Sequence, residues 1–411
     1  MTSNKVNMFV TFVLLFFCIS GLFAIVFNSV SASKIVADSW NTKTPMNQTR
    51  YNLGVVTVDG KIYAIGGYTT EYATDENNFG AILVDVKERY EPLTRPVKQS
   101  TPDNMPNTIL VGVNECYDPV SDTWITLSPI PTPKAGFAIA TYQSLIYCIG
   151  GENHANTVEV YDTTTNSWST KASIPSNTTN ECHLHASVVD NKIFVIDEGD
   201  LRLFMYDPKT DVWAEKTRVL AKDVAWGNSI VLVTMDDKLL VIGEFYSGST
   251  YSYERKVMVY DPKTDVWSEL QSTVIDTLHD AAGAATTGCY VPQRVYFLGD
   301  AGNYVYDPVG NAWSTIKDLP INRKCFSVAV VDDTLYVIGG YAMHIASDGF
   351  GSIGIARSIS LNEQYIPFDH STATSIFSLN NVVIFALILS VGFVCIITFF
   401  YYRQRKKSHV I

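Results

Sequence analysis

The chain predicts an all-β fold: six four-stranded sheets set radially as a β-propeller, the ring closed by an N-terminal strand, with one C-terminal transmembrane helix beyond it. Three observations carry this. Tyr206-Asp207-Pro208-Lys209-Thr210-Asp211-Val212-Trp213 has a near copy from Tyr260 to Trp267 and looser copies from Tyr117 to Trp124, Tyr161 to Trp168 and Tyr306 to Trp313. Tyr and Trp are seven apart in all five, and the successive Trp residues are 44, 45, 54 and 46 apart, a period that means repeated supersecondary units. Upstream of each Tyr lies an apolar run, and three of these runs end in paired glycines: Gly66-Gly67, Gly150-Gly151 and Gly339-Gly340. Finally, Tyr365 has no Trp seven residues later, whereas Trp40 has no Tyr seven residues earlier. Each end of the chain supplies what the other lacks, so the segment around Ile35 to Trp40 is expected to be the last strand of the sixth blade.

Each unit then reads as strand a, a tight turn, strand b, a loop, strand c bearing Tyr, a turn, and strand d bearing Trp. A single sheet of ~50 residues cannot cover both its faces, but radial stacking makes each sheet cover its neighbours. The Tyr and Trp fill the space between blades, and the glycines permit close backbone approach or a positive φ. Asp197-Glu198, Gly243-Glu244 and Gly299-Asp300 stand at the glycine positions of the other three repeats.

These motifs resemble the kelch repeat, and the chain resembles a kelch-type six-bladed propeller over roughly residues 34 to 368. The motif is strongest in the first two repeats. The resemblance implies ligand contacts near the channel mouth. Arg50, Lys134, Glu181 and Arg323 each stand thirteen residues before the aromatic residue at 63, 147, 194 or 336. They are the candidate ligand-binding residues, a ring of charge over a central pocket, with simple solvation of the rim as the alternative. No catalytic residue, metal site or cofactor is predicted. His183 and His185 lie beside Glu181 and Cys182, but no second pair of ligands stands nearby.

The totals bound the rest. The formal charge is −11, and with residues 1–32 and 381–411 set aside, 25 Lys and Arg face 41 Asp and Glu. So acidic a domain is not a phosphate-binding surface, and no nucleic acid partner is expected. Met8 to Phe27 is an uncharged apolar run after Lys5, with small residues at Val30-Ser31-Ala32. It predicts a signal peptide over residues 1–32, with an uncleaved anchor as the other reading. The propeller follows over 33–368 and a Ser/Thr-bearing stalk over 369–381. Residues 382–402 carry no charge and are long enough to span a bilayer. Arg403, Arg405, Lys406 and Lys407 then place the basic tail, 403–411, in the cytosol. The expectation is a single-pass type I protein of the plasma membrane, its propeller extracellular, with glycosylation at the sequons of Asn47 and Asn177.

Between Gly67 and Tyr117 lies the longest insertion, 68–113, either functional or disordered. Leu83 to Tyr90 is a candidate extra strand within it. In an up-and-down blade the b–c loops and d–a linkers share one face, and the a–b and c–d turns share the other. The turns are short and uniform; the b–c and d–a connections vary. Variable loops on a rigid scaffold carry recognition, so the loop face is the expected binding face. The predicted function is receptor-like or adhesion-type recognition of an extracellular or lumenal protein or glycan. The alternative is a carbohydrate-active enzyme resembling kelch-type sialic acid epimerases or galactose oxidases. Of seven cysteines, Cys116, Cys148, Cys182, Cys289 and Cys325 fall outside the apolar runs. An odd number leaves at least one without an intramolecular partner.

Overall fold

The computed structural model describes residues 38–71 and 107–367, apart from 153, 155, 176–183, 220–223, 248–251, 271–281, 290–291, 300–301 and 348–351. The candidate signal segment, stalk, membrane span and tail, and the candidate strand at 83–90, lie outside these residues. Among the described residues no helix is long and apolar enough to cross a membrane.

The described residues form six four-stranded antiparallel sheets, each ordered a-b-c-d from the axis outwards. Blade 1 is Gly54–Val58, Lys61–Ile65, Asn114–Asp118 and Thr123–Leu127. Blade 2 is Ala138–Tyr142, Leu145–Ile149, Val158–Asp162 and Ser167–Thr170. Blade 3 is Leu184–Val189, Lys192–Asp197, Leu203–Asp207 and Val212–Lys216. Blade 4 is Val224–Met235, Lys238–Ser247, Ser252–Asp261 and Val266–Leu270. Blade 5 is Ala282–Ala285, Val295–Gly299, Gly302–Asp307 and Ala312–Thr315. Blade 6 takes Ser327–Val331, Thr334–Ile338 and Asn362–Ile366 from the end of the propeller, and Ser39–Lys43 from its start. Trp40 pairs with Tyr365 in this closing register, as the two incomplete repeats require. The innermost strands neighbour one another round the whole ring, blade 6 against blade 1 included.

The core sits between the blades. Six apolar clusters each combine residues of two adjacent blades. Between blades 6 and 1, for example, Val55, Ile62, Ala64 and Tyr117 pack on Ala329, Val331, Tyr336 and Ile338. Tyr117, Tyr161, Tyr206, Tyr260, Tyr306 and Tyr365 are all buried. Each ring lies about 5 Å from the Trp opposite it: Trp124, Trp168, Trp213, Trp267, Trp313 and Trp40.

A buried phenol needs a partner for its hydroxyl. Each Tyr donates to an Asp or Asn: Asp122, Asn166, Asp211, Asp265, Asn311 or, across the closure, Asp38. All six have positive φ, between 46° and 57°, a conformation that Asp and Asn tolerate because the short polar side chain bonds locally. The same side chains reach the preceding blade. The N–H groups of Thr44, Ser128, Ala172, Thr217 and Lys317 donate to Asp122, Asn166, Asp211, Asp265 and Asp38. The carbonyls of those five linker residues accept the indole N–H of Trp124, Trp168, Trp213, Trp267 and Trp40. Five of the six blades therefore clamp one linker residue of the blade before them by both backbone groups. The sixth joint, from blade 4 to blade 5, falls on 271–281, outside the described residues.

Candidate functional site

The two faces differ in what their side chains have left to do. On the turn face, the Asp that follows each Tyr accepts backbone N–H groups of its own turn: Asp118 from Val120, Asp162 from Thr164, Asp207 from Lys209, Asp261 from Lys263 and Asp307 from Val309. Asp118, Asp162, Asp207 and Asp307 are all held below the usual aspartate range, chiefly by the Val120 N–H in Asp118, the Thr164 hydroxyl in Asp162, the Lys192 ammonium in Asp207 and the Gly310 N–H in Asp307. The acid of the turn face is mostly committed to making turns.

The loop face is built outward instead. Three b–c connections grow into antiparallel ribbons. Tyr68–Glu71 pairs with Asn107–Leu110 in blade 1, and Tyr341–Ser347 with Ser352–Ser358 in blade 6. In blade 4, strands b and c stay paired out to Ser247 and Ser252. The blade 1 and blade 6 ribbons meet at their bases through hydroxyls. Ser358 Oγ lies 2.9 Å from both Thr49 Oγ1 and Thr70 Oγ1. The N–H of Thr70 donates to Ser358 Oγ, and the N–H of Ser358 to Thr70 Oγ1, each at 3.2 Å. Tyr51 sits over this junction. It stacks on Tyr68 with 5.3 Å between centroids and meets Tyr341 edge-on at 5.4 Å. All three rings are partly exposed. Tyr51 and Tyr68 also exchange backbone hydrogen bonds, as Lys324 and Tyr341 do.

Beneath the ribbons lie the charged residues expected at the mouth, and here the structure corrects the expectation. Arg50, Lys134 and Arg323 are 0, 0 and 1% exposed, interior groups and not an open rim. Arg50 binds Glu115 at 2.6 Å and donates to the carbonyls of Ala64, Gly66 and Val113. Lys134 binds Glu159 at 2.7 Å and Thr157 Oγ1 at 2.9 Å. Arg323 binds Glu363 and the carbonyl of Val337. Burial pulls the Arg50 and Arg323 guanidinium groups below their usual pKa, and their glutamates oppose this. A charge in a dry interior is tolerated only when paired, so these side chains are consumed by the fold. Glu181 lies outside the described residues.

The paired glycines explain why the cations sit there. Gly67 N–H donates to Lys134 O, and Gly340 N–H to Arg50 O, so the glycines of one blade hold the linker of the next. A Cβ on Gly66 would stand 2.5 Å from Lys134 O, and one on Gly339 2.5 Å from Arg50 O. The glutamate partners went unread in the sequence. Their signal was present: Glu115, Glu159 and Glu363 each stand two residues before the repeat Tyr, in the three blades with paired glycines. Phe204, Met258 and Tyr304 stand there in the others.

His185 Nε2 lies 3.3 Å from Glu198 Oε2, and Glu198 accepts the N–H of Ile230 in blade 4. Among the described residues no three His, Cys, Asp or Glu converge as metal ligands. Among the described residues, Cys116, Cys148 and Cys289 are free thiols, the first two buried; burial raises the pKa of both, so they are inert. Of the two sequon asparagines, Asn47 is exposed on the linker before blade 1, and Asn177 lies outside the described residues.

Known proteins bear on this site as follows. A family model described as the Kelch motif matches residues 49–78, 133–175 and 322–350, the stretches with the glycine pairs and buried cations. Kelch-like protein 36 of Rattus norvegicus is 26% identical over 307 residues, which are 69% of this chain and 42% of that protein. Kelch-like protein 35 of Mus musculus is 24% identical over 233 residues, 55% of this chain and 32% of that protein. The chain thus spans about a third to two fifths of the length of these curated relatives. The solved structure of YjhT aligns with a TM-score of 0.50 at 12% identity, covering 78% of this chain and 96% of that one, a likeness of fold alone.

Proposed function

Because the chain is a kelch-repeat protein, we propose that it is a protein-interaction module whose partner seats on the loop face, across the ribbons of blades 6 and 1. The observation that carries this is the junction of Tyr51, Tyr68 and Tyr341 over Thr49, Thr70 and Ser358. Tyrosine offers large, stiff contact area with a polar tip, which suits recognition. The cations beneath carry no free charge to a ligand, which removes the motive for a charged catalytic pocket. The module is held at the plasma membrane by the apolar span at 382–402, with the propeller outside the cell. The same topology exposes Asn47 and Asn177 to glycosylation. A partner protein is the reading; glycan recognition is tested beside it.

The full-length chain at the surface of expressing cells is screened against arrayed soluble ectodomains and arrayed glycans. Hits are repeated with Tyr68→Ala and Tyr341→Ala. An ectodomain hit weakened tenfold or more, about 1.4 kcal/mol, is the expected result. Binding indifferent to both variants but abolished by Lys209→Glu and Lys263→Glu, on the turn face, would place the site on the wrong side of the ring. Glycan hits alone would replace the protein partner with a sugar.

A further inference from the structure

One tryptophan is left over from the repeat. Six of the seven stand opposite the repeat tyrosines; the seventh is Trp226, in strand a of blade 4. That strand, with strands b and c beside it, runs past the end of the blade on the loop face. Trp226 pairs with Tyr246, and Tyr246 with Tyr253. Residues opposite one another in an antiparallel pair share a face, so these three positions form one aromatic row across three strands. The rings of Tyr246 and Tyr253 lie 5.2 Å apart between centroids, and Tyr253 is 53% exposed. In the row below, Glu244 stands between Asn228 and Arg255.

The core tells which side of blade 4 this row is on. Leu240 and Ile242 pack on Val295, Phe297 and Tyr306 of blade 5, whereas Phe245 packs into the cluster shared with blade 3. Strand side chains alternate, so Glu244 and Tyr246 belong to the blade 5 side. Blade 5 does not rise to cover them. Its strands b and c end at Gly299 and Gly302, which pair with each other at the level of Gly243 in blade 4. Blade 4 continues through Glu244 to Ser247, a further rise of about 13 Å. Blade 6 rises again on the far side as its own ribbon. The row is therefore a wall above a low step. The inner strand of that step, Ala282-Gly283-Ala284-Ala285, consists of small, partly exposed residues.

Arg255 has donors to spare at this wall. Its Nε donates to Glu244 Oε1 at 2.7 Å, and neither terminal nitrogen has a partner among the described residues. Glu244 is 2% exposed and Arg255 32%. A buried carboxylate thus fixes the guanidinium and cancels its charge, while the outer N–H groups remain open to a ligand. Glu244 stands where blades 1, 2 and 6 have the second glycine of the pair. The wall offers stiff aromatic faces beside a planar fork of donors. A ring with an apolar C–H face and hydroxyls round its edge meets both at once: the C–H face lies on an aromatic ring, and the hydroxyl oxygens accept from the fork. We propose that the blade 4 wall binds a neutral sugar ring of a glycan, stacked on Tyr253 and hydrogen-bonded by Arg255, at a site separate from the Tyr51 junction. An anionic ligand is disfavoured because Glu244 already holds the cation, and because the domain is acidic, with 25 Lys and Arg against 41 Asp and Glu. A protein partner needs roughly 800 Å² of surface on each side, and the wall is only about 10 Å wide and about 13 Å tall.

The test uses the full-length chain in a detergent without a sugar head group, with arrayed neutral and sialylated oligosaccharides as probes. A neutral hit is then titrated as the free oligosaccharide. Tyr253→Ala and Arg255→Lys should each weaken it tenfold or more, lysine being a point donor in place of a fork. Lys209→Glu, on the turn face, should leave it unchanged. A fluorinated tyrosine installed at position 253 gives a readout that needs no truncation, because its fluorine resonance should shift as the sugar is added. Neutral sugar binding that is indifferent to Tyr253→Ala and Arg255→Lys, or that is lost in Tyr68→Ala and Tyr341→Ala instead, overturns the site. Hits confined to sialylated glycans overturn the neutral ligand, and so does an array without a hit or a resonance that does not move. An ectodomain hit that falls with Tyr253→Ala and Arg255→Lys, without any sugar bound, would make the wall part of a protein interface and overturn the sugar. Failure of the Tyr51 junction to bind an ectodomain leaves the sugar result standing, since different variants report the two sites.

Discussion

Removing the carboxylate of Glu115 is the sharpest way to ask whether Arg50 belongs to the fold or to a ligand. Glu115 binds the Arg50 guanidinium at 2.6 Å through one oxygen and accepts the N–H of Asn47 at 2.9 Å through the other. Both side chains are essentially without solvent. E115A leaves a guanidinium in the interior with only three carbonyls and the Met46 sulfur to face, and breaking a buried pair in this way costs about 3–5 kcal/mol. At about 2–4 °C per kcal/mol for large domains, the melting temperature should fall by roughly 6–20 °C. E115Q keeps an acceptor for Asn47 and loses only the charge, so it should fall less. The double variant R50M/E115L removes both charges with similar volume and should recover most of the loss, since apolar replacements of buried pairs are often neutral. Thermal unfolding of the detergent-solubilised chain, at one fixed scan rate, gives the three values. A loss below about 1 kcal/mol in E115A would mean that Arg50 finds water or a ligand when unpaired, and the interior reading would be wrong. A double variant as damaged as E115A would mean that shape, not charge, holds the seam.

Three further outcomes follow from the same geometry. Asp211→Ala strands the Tyr206 hydroxyl and the Ala172 N–H and should cost about 1–3 kcal/mol, whereas Asp211→Asn loses the charge but keeps an acceptor and should cost clearly less, as Asn166 and Asn311 already serve at that position; equal losses in chemical denaturation would discount the clamp. Gly339→Ala drives a Cβ to 2.5 Å from Arg50 O at φ +70°, but Gly60→Ala, at φ +72°, meets nothing within 4 Å; the second should cost about 1–2 kcal/mol of backbone strain and the first clearly more, and comparable melting points would remove the glycine seam. Asp211 is held below its usual pKa of 3.8 chiefly by the Tyr206 hydroxyl, and its contribution is therefore present above that value and lost as pH falls through the lower folded one. With the turn aspartates behaving alike, the melting temperature should be flat through neutral pH and drop below pH 3.8; a loss that begins well above pH 5 would point to other groups.

How much of this was legible in the chain depended on whether the signal was local. The Tyr–Trp spacing, the a–b turns and the closure by Trp40 all follow from residues that repeat in register. The closure was readable because two defects at opposite ends fitted one missing strand. The phase of Arg50, Lys134 and Arg323 was also readable, but their burial was not. Arg50 meets a glutamate 65 residues away, beyond the longest insertion, and no spacing within a window links the two. Without a visible partner a cation near a mouth reads as a rim. The insertion itself was half legible: its first and last residues pair as a ribbon, although nothing in Tyr68–Glu71 alternates strongly enough to announce a strand. The asparagine and aspartate five residues after each Tyr were the plainest miss. They recur in the five repeats whose Tyr and Trp are joined by a turn, Asp38 taking the place for Tyr365, and a buried phenol demands them.

The distribution of the buried pairs explains why the tyrosine junction sits where it does. Blades 6, 1 and 2 are consecutive round the ring, and they carry the three glycine pairs and the three buried ion pairs. Blades 3, 4 and 5 put apolar side chains in the same place and need no cation. A buried pair is weak as a source of stability but strict in geometry, because charge and every lone pair must be met at once. Arg50 meets Glu115 and three carbonyls from both ends of the blade 1 ribbon's base, and its own carbonyl is held by Gly340 of blade 6. One residue thus ties strand b and the end of the insertion in blade 1 to the glycine pair of blade 6. Its neighbours in sequence, Thr49 and Tyr51, are the residues that touch both ribbons above. A charge that could not serve a ligand is therefore what fixes the height and register of the side chains that can, and this is the physical reason for seeking recognition at Tyr51, Tyr68 and Tyr341 and not at the arginines beneath them.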